Sequence, residues 1–156
     1  MAQRAKWCRQ WLPRLAAVLY GAWMLWLLFG QRLGTQIYEQ QLADRVNLIP
    51  FATISRYMQM IRTLTDPGLF RHALVNLVGN VVLFIPLGFF LPYFCRPLRG
   101  FLRTALTVLA LIVVVELTQY VTLLGSCDID DLVLNMAGAL MGYPVWRLIV
   151  SRAGCQ

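Results

Sequence analysis

Four apolar runs, each close to twenty residues long, constrain this chain more than any other feature. They extend over about 12–29, 73–94, 102–124 and 132–150. A helix needs roughly 20 apolar residues to cross about 30 Å of hydrocarbon, and only helices or closed barrels satisfy their backbone inside lipid. The expected fold is therefore all-α, a multi-pass transmembrane bundle of four helices. Composition agrees: of 156 residues, 59% are apolar and 13% charged, with mean hydropathy +0.62. Ordinary globular domains run at roughly 45–50% and about 25%. A chain this rich in aliphatic and aromatic residues is not disordered either. In a soluble protein the net charge of +7 would suggest nucleic acid. Here it reads as topology and contact with lipid headgroups, so membrane lipids are the expected partners and nucleic acid is not.

The runs divide the chain into a tail over 1–11, a membrane domain over 12–150 and a second tail over 151–156. Arg4, Lys6, Arg9 and Arg14 precede or open the first run, as in a signal peptide. Gly30-Gln31-Arg32 follows it in place of a small-residue cleavage site, so the run reads as an uncleaved anchor. The two chain ends and the loop between spans two and three, counted with the adjoining ends of the spans, hold nine cationic residues: Arg4, Lys6, Arg9, Arg14, Arg96, Arg99, Arg103, Arg147 and Arg152. The other side holds five, namely Arg32, Arg45, Arg56, Arg62 and Arg71. The cation excess predicts cytoplasmic N and C termini. Glu39, Asp44, Asp66, Asp128, Asp130 and Asp131 then lie on the external side. So does Cys127, apart from Cys8, Cys95 and Cys155, which argues against an internal disulfide.

Residues 31–71 are too many for a plain loop. Ile54, Tyr57, Met58, Ile61 and Leu64 recur at helical spacing, with Arg56, Gln59, Arg62 and Thr63 on other faces. This predicts an amphipathic external helix, with Pro50 in its first turn and Asp66-Pro67-Gly68 as its stop. It either lies in the outer headgroup plane or closes over the bundle as a lid.

Three of the spans carry polar residues. Spacings of three and four place Asn76 with Asn80, Glu116 with Gln119 and Tyr120, and Asp128 with Asp131 and Asn135 on shared helical faces. With His72, Leu124 and Asp131 taken as outer ends, Asn76, Gln119 and Asn135 fall roughly 6–8 Å deep, and Asn80 and Glu116 about 12 Å deep. An ionisable side chain in a span is costly, so Glu116 must face protein or water, and it is expected to protonate if dry. These groups read either as hydrogen-bonded glue between helices or as a site. Like charges clustered at one mouth make poor glue, which favours a site for the carboxylates.

Gly138 and Gly142, four apart, allow close helix approach, within the chain or to a second copy. Pro86, Pro92 and Pro144 are expected to kink their spans. One histidine, His72, cannot build a multi-histidine metal centre. The carboxylates suggest a hard cation only weakly, so neither metal nor other cofactor is expected. No nucleophile elbow or phosphate loop is present.

Several of these residues form a familiar series. Asn47-Leu48-Ile49-Pro50-Phe51 leads, then Asn76 and Asn80 run into Phe84-Ile85-Pro86-Leu87-Gly88-Phe89. Glu116 with Gln119 follows, then Asp128-Ile129-Asp130-Asp131, Asn135, Gly138 and Gly142. In order and spacing the series resembles the VanZ-like family, over about 12–143. One departure stands out: where many members carry an arginine just after the glycine that precedes the aspartates, Gly125 is followed here by Ser126 and Cys127. The resemblance implies a four-span protein of a bacterial plasma membrane. It also implies a link to low-level resistance to teicoplanin, a glycopeptide with an acyl tail.

Residue layout and resemblance together suggest a polar pocket in the outer half of the bilayer. Asn76, Asn80, Glu116, Gln119, Tyr120, Asp128, Asp131 and Asn135 would line it, and a lipoglycopeptide, cell-wall lipid precursor or phospholipid would fill it. Asn47, Pro50, Phe51, Pro86, Gly138 and Gly142 are signature positions. Two other readings stand beside this one. In the first, Glu116 and the aspartates act on a lipid headgroup by acid–base chemistry. In the second, the chain is a scaffold that binds another membrane protein, or a copy of itself through Gly138 and Gly142.

Overall fold

The computed structural model describes residues 2–30, 46–63 and 66–152, with side chains from 11 to 150. Arg32, Glu39, Asp44, Arg45, Leu64 and Cys155 lie outside this set, as does most of the expected external segment before residue 46. The chain forms two units, Met1–Thr35 and Gln36–Gln156.

The first unit contains one described helix, α1 (Ala2–Leu28), which runs unbroken through Pro13. Its Trp11–Leu28 stretch is long and apolar enough to cross a membrane. Leu12, Leu15, Val18, Leu19, Trp23 and Trp26 are all more than half exposed. A water-facing helix would not leave such a surface uncovered, whereas lipid covers it at no cost.

The second unit runs β1 (Val46–Asn47), α2 (Ala52–Thr63), α3 (Pro67–Phe94), a 3₁₀ turn over Arg96–Arg99, α4 (Phe101–Val121), β2 (Cys127–Asp128) and α5 (Ile129–Arg152). The helices α3, α4 and α5 are also of membrane-crossing length and character, which makes four in all among the described residues.

The second span begins earlier than the apolar run suggested. Asp66 caps α3 by accepting from the Gly68 N–H at 2.7 Å, and Pro67 opens the first turn. The same Asp-Pro-Gly that stops α2 thus starts the next helix. Its 28 residues give about 42 Å, more than the hydrocarbon needs. α4 ends three residues before the expected Leu124. Leu123 takes the left-handed conformation, at φ 59°, and the Leu124 and Gly125 N–H groups return to the Gln119 carbonyl at 3.0 and 3.1 Å.

Packing centres on α3 and α5, which run parallel. A Cβ on Gly138 would stand 2.0 Å from the Val81 carbonyl oxygen, one on Gly142 1.9 Å from that of Ile85, and one on Gly88 1.8 Å from that of Ala139. These backbones touch because glycine leaves no side chain between them. The Gly138/Gly142 face is therefore taken up inside the chain, against α3. A second copy binding through that face would have to displace this helix.

Proline produces no break in α3 at Pro86 or Pro92, nor in α5 at Pro144. α2 is amphipathic as expected, except that Met58, read as part of the apolar face, is exposed. Thr53 is buried, Ile54, Tyr57 and Ile61 half-buried, and Arg56, Gln59 and Arg62 exposed. Its inner face meets α3, where the Tyr57 and His72 rings pack edge to face at 6.0 Å.

Candidate functional site

The three aspartates of Asp128-Ile129-Asp130-Asp131 look alike in sequence, yet each meets a different neighbour. β1 pairs with β2 in parallel, Val46 opposite Cys127 and Asn47 opposite Asp128. This two-residue ladder brings the segment before α2 against the entrance of α5. Asp128 sits in the ladder, 8% exposed. It accepts from the Asn47 side-chain amide at 3.2 Å and from the Thr53 hydroxyl at 2.6 Å.

Asp130 is fully buried. One of its oxygens accepts from the Phe51 N–H at 2.6 Å. The other accepts from the N–H groups of Thr53 at 2.8 Å and Ile54 at 3.0 Å. These are the orphan donors at the start of α2, so Asp130 acts as an N-cap supplied from the far end of the chain. Phe51 holds a left-handed backbone at φ 64°, which aims its N–H at the carboxylate. Pro50 lies in the turn before the helix and not in its first turn.

Asp131 faces α3 and accepts from the Asn80 amide at 2.6 Å. This contact corrects the two-level depth scheme, which put Asn80 about 12 Å below Asp131. Asp131 is the third residue of α5 and Asn80 the fourteenth of α3, so α3 projects beyond α5 by roughly 16 Å. α4 shows the same offset: Glu116, expected deep, accepts from the Asp128 N–H at 3.4 Å. Residues 122–128 therefore fold back along α4, and α5 starts well short of the ends that α3 and α4 reach on that side.

Carboxylates from α4, β2 and α5 thus share one level with Asn80, and α2 with β1 lies over them. Glu116 and Gln119 are each 5% exposed, and Tyr120 is half-buried. Asn135 follows Asp131 by one helical turn, is 2% exposed, and its Oδ1 is buried without a hydrogen-bond partner among the described residues. Asn76 does not join this group. Its amide donates to the His72 carbonyl of its own helix at 2.8 Å.

Asp128 and Asp130 fasten the start of α5 to β1 and α2. Like charges repel, but Asp128 draws on Asn47 and Thr53, Asp130 on the first amides of α2 and Asp131 on Asn80 of α3, and hydrogen bonds to charged groups are the strong ones. Asp130 and Thr53 were absent from the expected pocket residues. Thr53, a hydroxyl in the first turn of a helix, carries only the ordinary mark of a local cap. Cys127 lies half-buried beside this cluster, where burial pushes its thiol up, with the Glu116 and Asp128 charges adding to the effect. Among the described residues no group of three or more His, Cys, Asp or Glu is placed to hold a metal ion.

The family model VanZ/LLP1 matches residues 15–150, nearly the whole chain. Protein VanZ of Enterococcus faecium is 27% identical over 141 residues, which is 88% of this chain and 74% of that protein. No solved structure matches. The series of asparagines, carboxylates and glycines assembled above lies almost entirely within the matched span, and the chain belongs to the VanZ/LLP1 family.

Proposed function

We propose that this membrane protein engages the polar head of an amphiphile from the external face of a bacterial plasma membrane, and thereby lowers susceptibility to teicoplanin-type glycopeptides. The single observation carrying the reading is the Asn135 Oδ1, an acceptor buried without a partner among the described residues, one turn below Asp131. An unmet buried acceptor costs stability, and a ligand that brings a donor offsets that cost. A head carrying hydroxyl, amide or ammonium donors suits this acceptor and the carboxylates of Glu116 and Asp131 at the same level, each oxygen of which can take more than one donor. Sugar–peptide heads have these in quantity, and an acyl tail suits the lipid-facing leucines and valines. The cation count supports the external orientation, and kinship with Protein VanZ supports the link to glycopeptides.

The test compares Glu116→Gln, Asp131→Asn and Asn135→Leu with wild type at matched expression, scoring teicoplanin and vancomycin susceptibility. Teicoplanin protection should fall about fivefold per variant, the size of one lost polar contact in a membrane protein. Asn135→Leu should do so without loss of thermal stability, because it removes the orphan acceptor. Unchanged protection in all three variants removes the polar cluster from the function.

A further inference from the structure

The end of the helices opposite the carboxylates holds a second polar cluster, independent of the one above. Tyr143 on α5 is 8% exposed, and its hydroxyl donates to the Arg99 carbonyl at 2.8 Å, pinning the 3₁₀ turn between α3 and α4. Its ring packs on Trp146 at 5.4 Å between centroids. The two residues that Tyr143 touches each carry a buried nitrogen with no hydrogen-bond partner among the described residues: Arg99 Nε and Trp146 Nε1. Trp146 is 6% exposed, and Arg99 is half-buried.

Both groups are N–H donors and neither can accept, so what they lack is an acceptor oxygen. No carboxylate of the described residues supplies one, because Asp66, Glu116, Asp128, Asp130 and Asp131 all belong to the other end of the helices. Arg96 in the same turn, Arg103, whose Nη1 donates to the Pro97 carbonyl at 3.3 Å, and Arg147 beside Trp146 in sequence are exposed, and this end has no acidic counterpart among the described residues. Trp146 stands fifteen residues beyond Asp131, about 22 Å along the helix. That is the level at which tryptophan and tyrosine gather against lipid headgroups.

We propose that this cluster binds the phosphate of an anionic phospholipid headgroup, with Arg99 and Trp146 donating to its oxygens and the three outer arginines supplying charge. Phosphate offers the acceptors both donors need, and Arg matches it by a planar fork of N–H groups. Arg99 is only half-buried, so its guanidinium is the member of the pair that a headgroup reaches first.

The experiment titrates the purified full chain in detergent micelles with tail-labelled phosphatidylglycerol. Diacylglycerol of the same chains and inorganic phosphate serve as competitors. Trp146→Phe keeps the ring and removes the donor; Arg99→Gln removes the fork. Each should weaken phosphatidylglycerol binding about tenfold, as loss of a hydrogen bond to a charged group does. Arg71→Gln, an equal charge loss at the carboxylate end, should leave it unchanged.

Equal losses in all three variants would reduce the effect to diffuse attraction and overturn the site. Inorganic phosphate displacing the probe as well as unlabelled phosphatidylglycerol does would make soluble phosphate the ligand and overturn the lipid assignment. If Arg99→Gln fails to fold, Trp146→Phe and the wild-type competition still decide. Diacylglycerol competing as well as phosphatidylglycerol would sink the proposal.

Discussion

Asp130→Asn removes one charge from a fully buried position with almost no change of shape. The wild-type carboxylate holds three backbone N–H groups at 2.6, 2.8 and 3.0 Å, one on its first oxygen and two on its second. An amide has a single acceptor oxygen. Its best orientation keeps Thr53 and Ile54 and turns an NH₂ group toward the Phe51 N–H, donor against donor. One charge-assisted hydrogen bond worth about 1.5–3 kcal/mol is lost. The favourable negative charge at the N-terminus of α2, worth about 0.3–1 kcal/mol, goes with it. Together these give about 3 kcal/mol, or roughly a hundredfold in the opening equilibrium of the segment. Hydrogen exchange by mass spectrometry, on the full chain in lipid nanodiscs, reads this directly. Peptides across 46–63 should exchange roughly a hundredfold faster in the variant, while those across 101–121 keep wild-type protection. Wild-type protection of 46–63 in Asp130→Asn would refute the remote cap.

Alanine at Gly88, Gly138 or Gly142 forces α3 and α5 apart. Each should lower the melting temperature in detergent through overpacking of about 1–3 kcal/mol, whereas Gly21→Ala, whose Cβ would meet nothing within 4 Å, should not. A drop of equal size at Gly21 would refute the close-approach account. For Cys127 the thiolate is the reactive form, and its raised pKa keeps the thiol protonated at neutral pH. Modification of intact cells by an impermeant thiol reagent should therefore quicken by about tenfold per pH unit between 7 and 9. Glu116→Gln should speed it at fixed pH. A flat rate across that range would contradict the burial, and labelling of Cys8 in place of Cys127 would reverse the orientation.

The four spans could be read from the sequence because length and apolarity alone decide whether a helix crosses lipid. Their ends were harder. A glycine normally marks the left-handed residue after a helix, but in α4 Leu123 takes that conformation two residues before Gly125, so the apolar run outlasts the helix. Asp66-Pro67 reads equally as a stop or a start. At the site, the residues of the signature series were legible as polar groups in apolar surroundings, and Asn80, Glu116 and Asp131 do come to one level. Their depths were not legible, because counting from span ends assumes that all ends are flush. Asp130 escaped for another reason. Its partners are backbone N–H groups of residues 51–54, and a main chain leaves no signature in side-chain identity.

The lock between the two ends of the second unit also dictates an order of events. The carboxylate that secures α2 lies 76 to 79 positions downstream of the amides it holds. A ribosome adding about 5–20 residues per second needs roughly 4–16 s to deliver it. Throughout that interval the short helix can already meet α3 through Tyr57 and His72, but its N-terminal amides lack their carboxylate until the last span arrives. Truncations that stop before α5 should accordingly leave a loose, protease-sensitive stretch ahead of residue 66, however well the earlier spans have inserted.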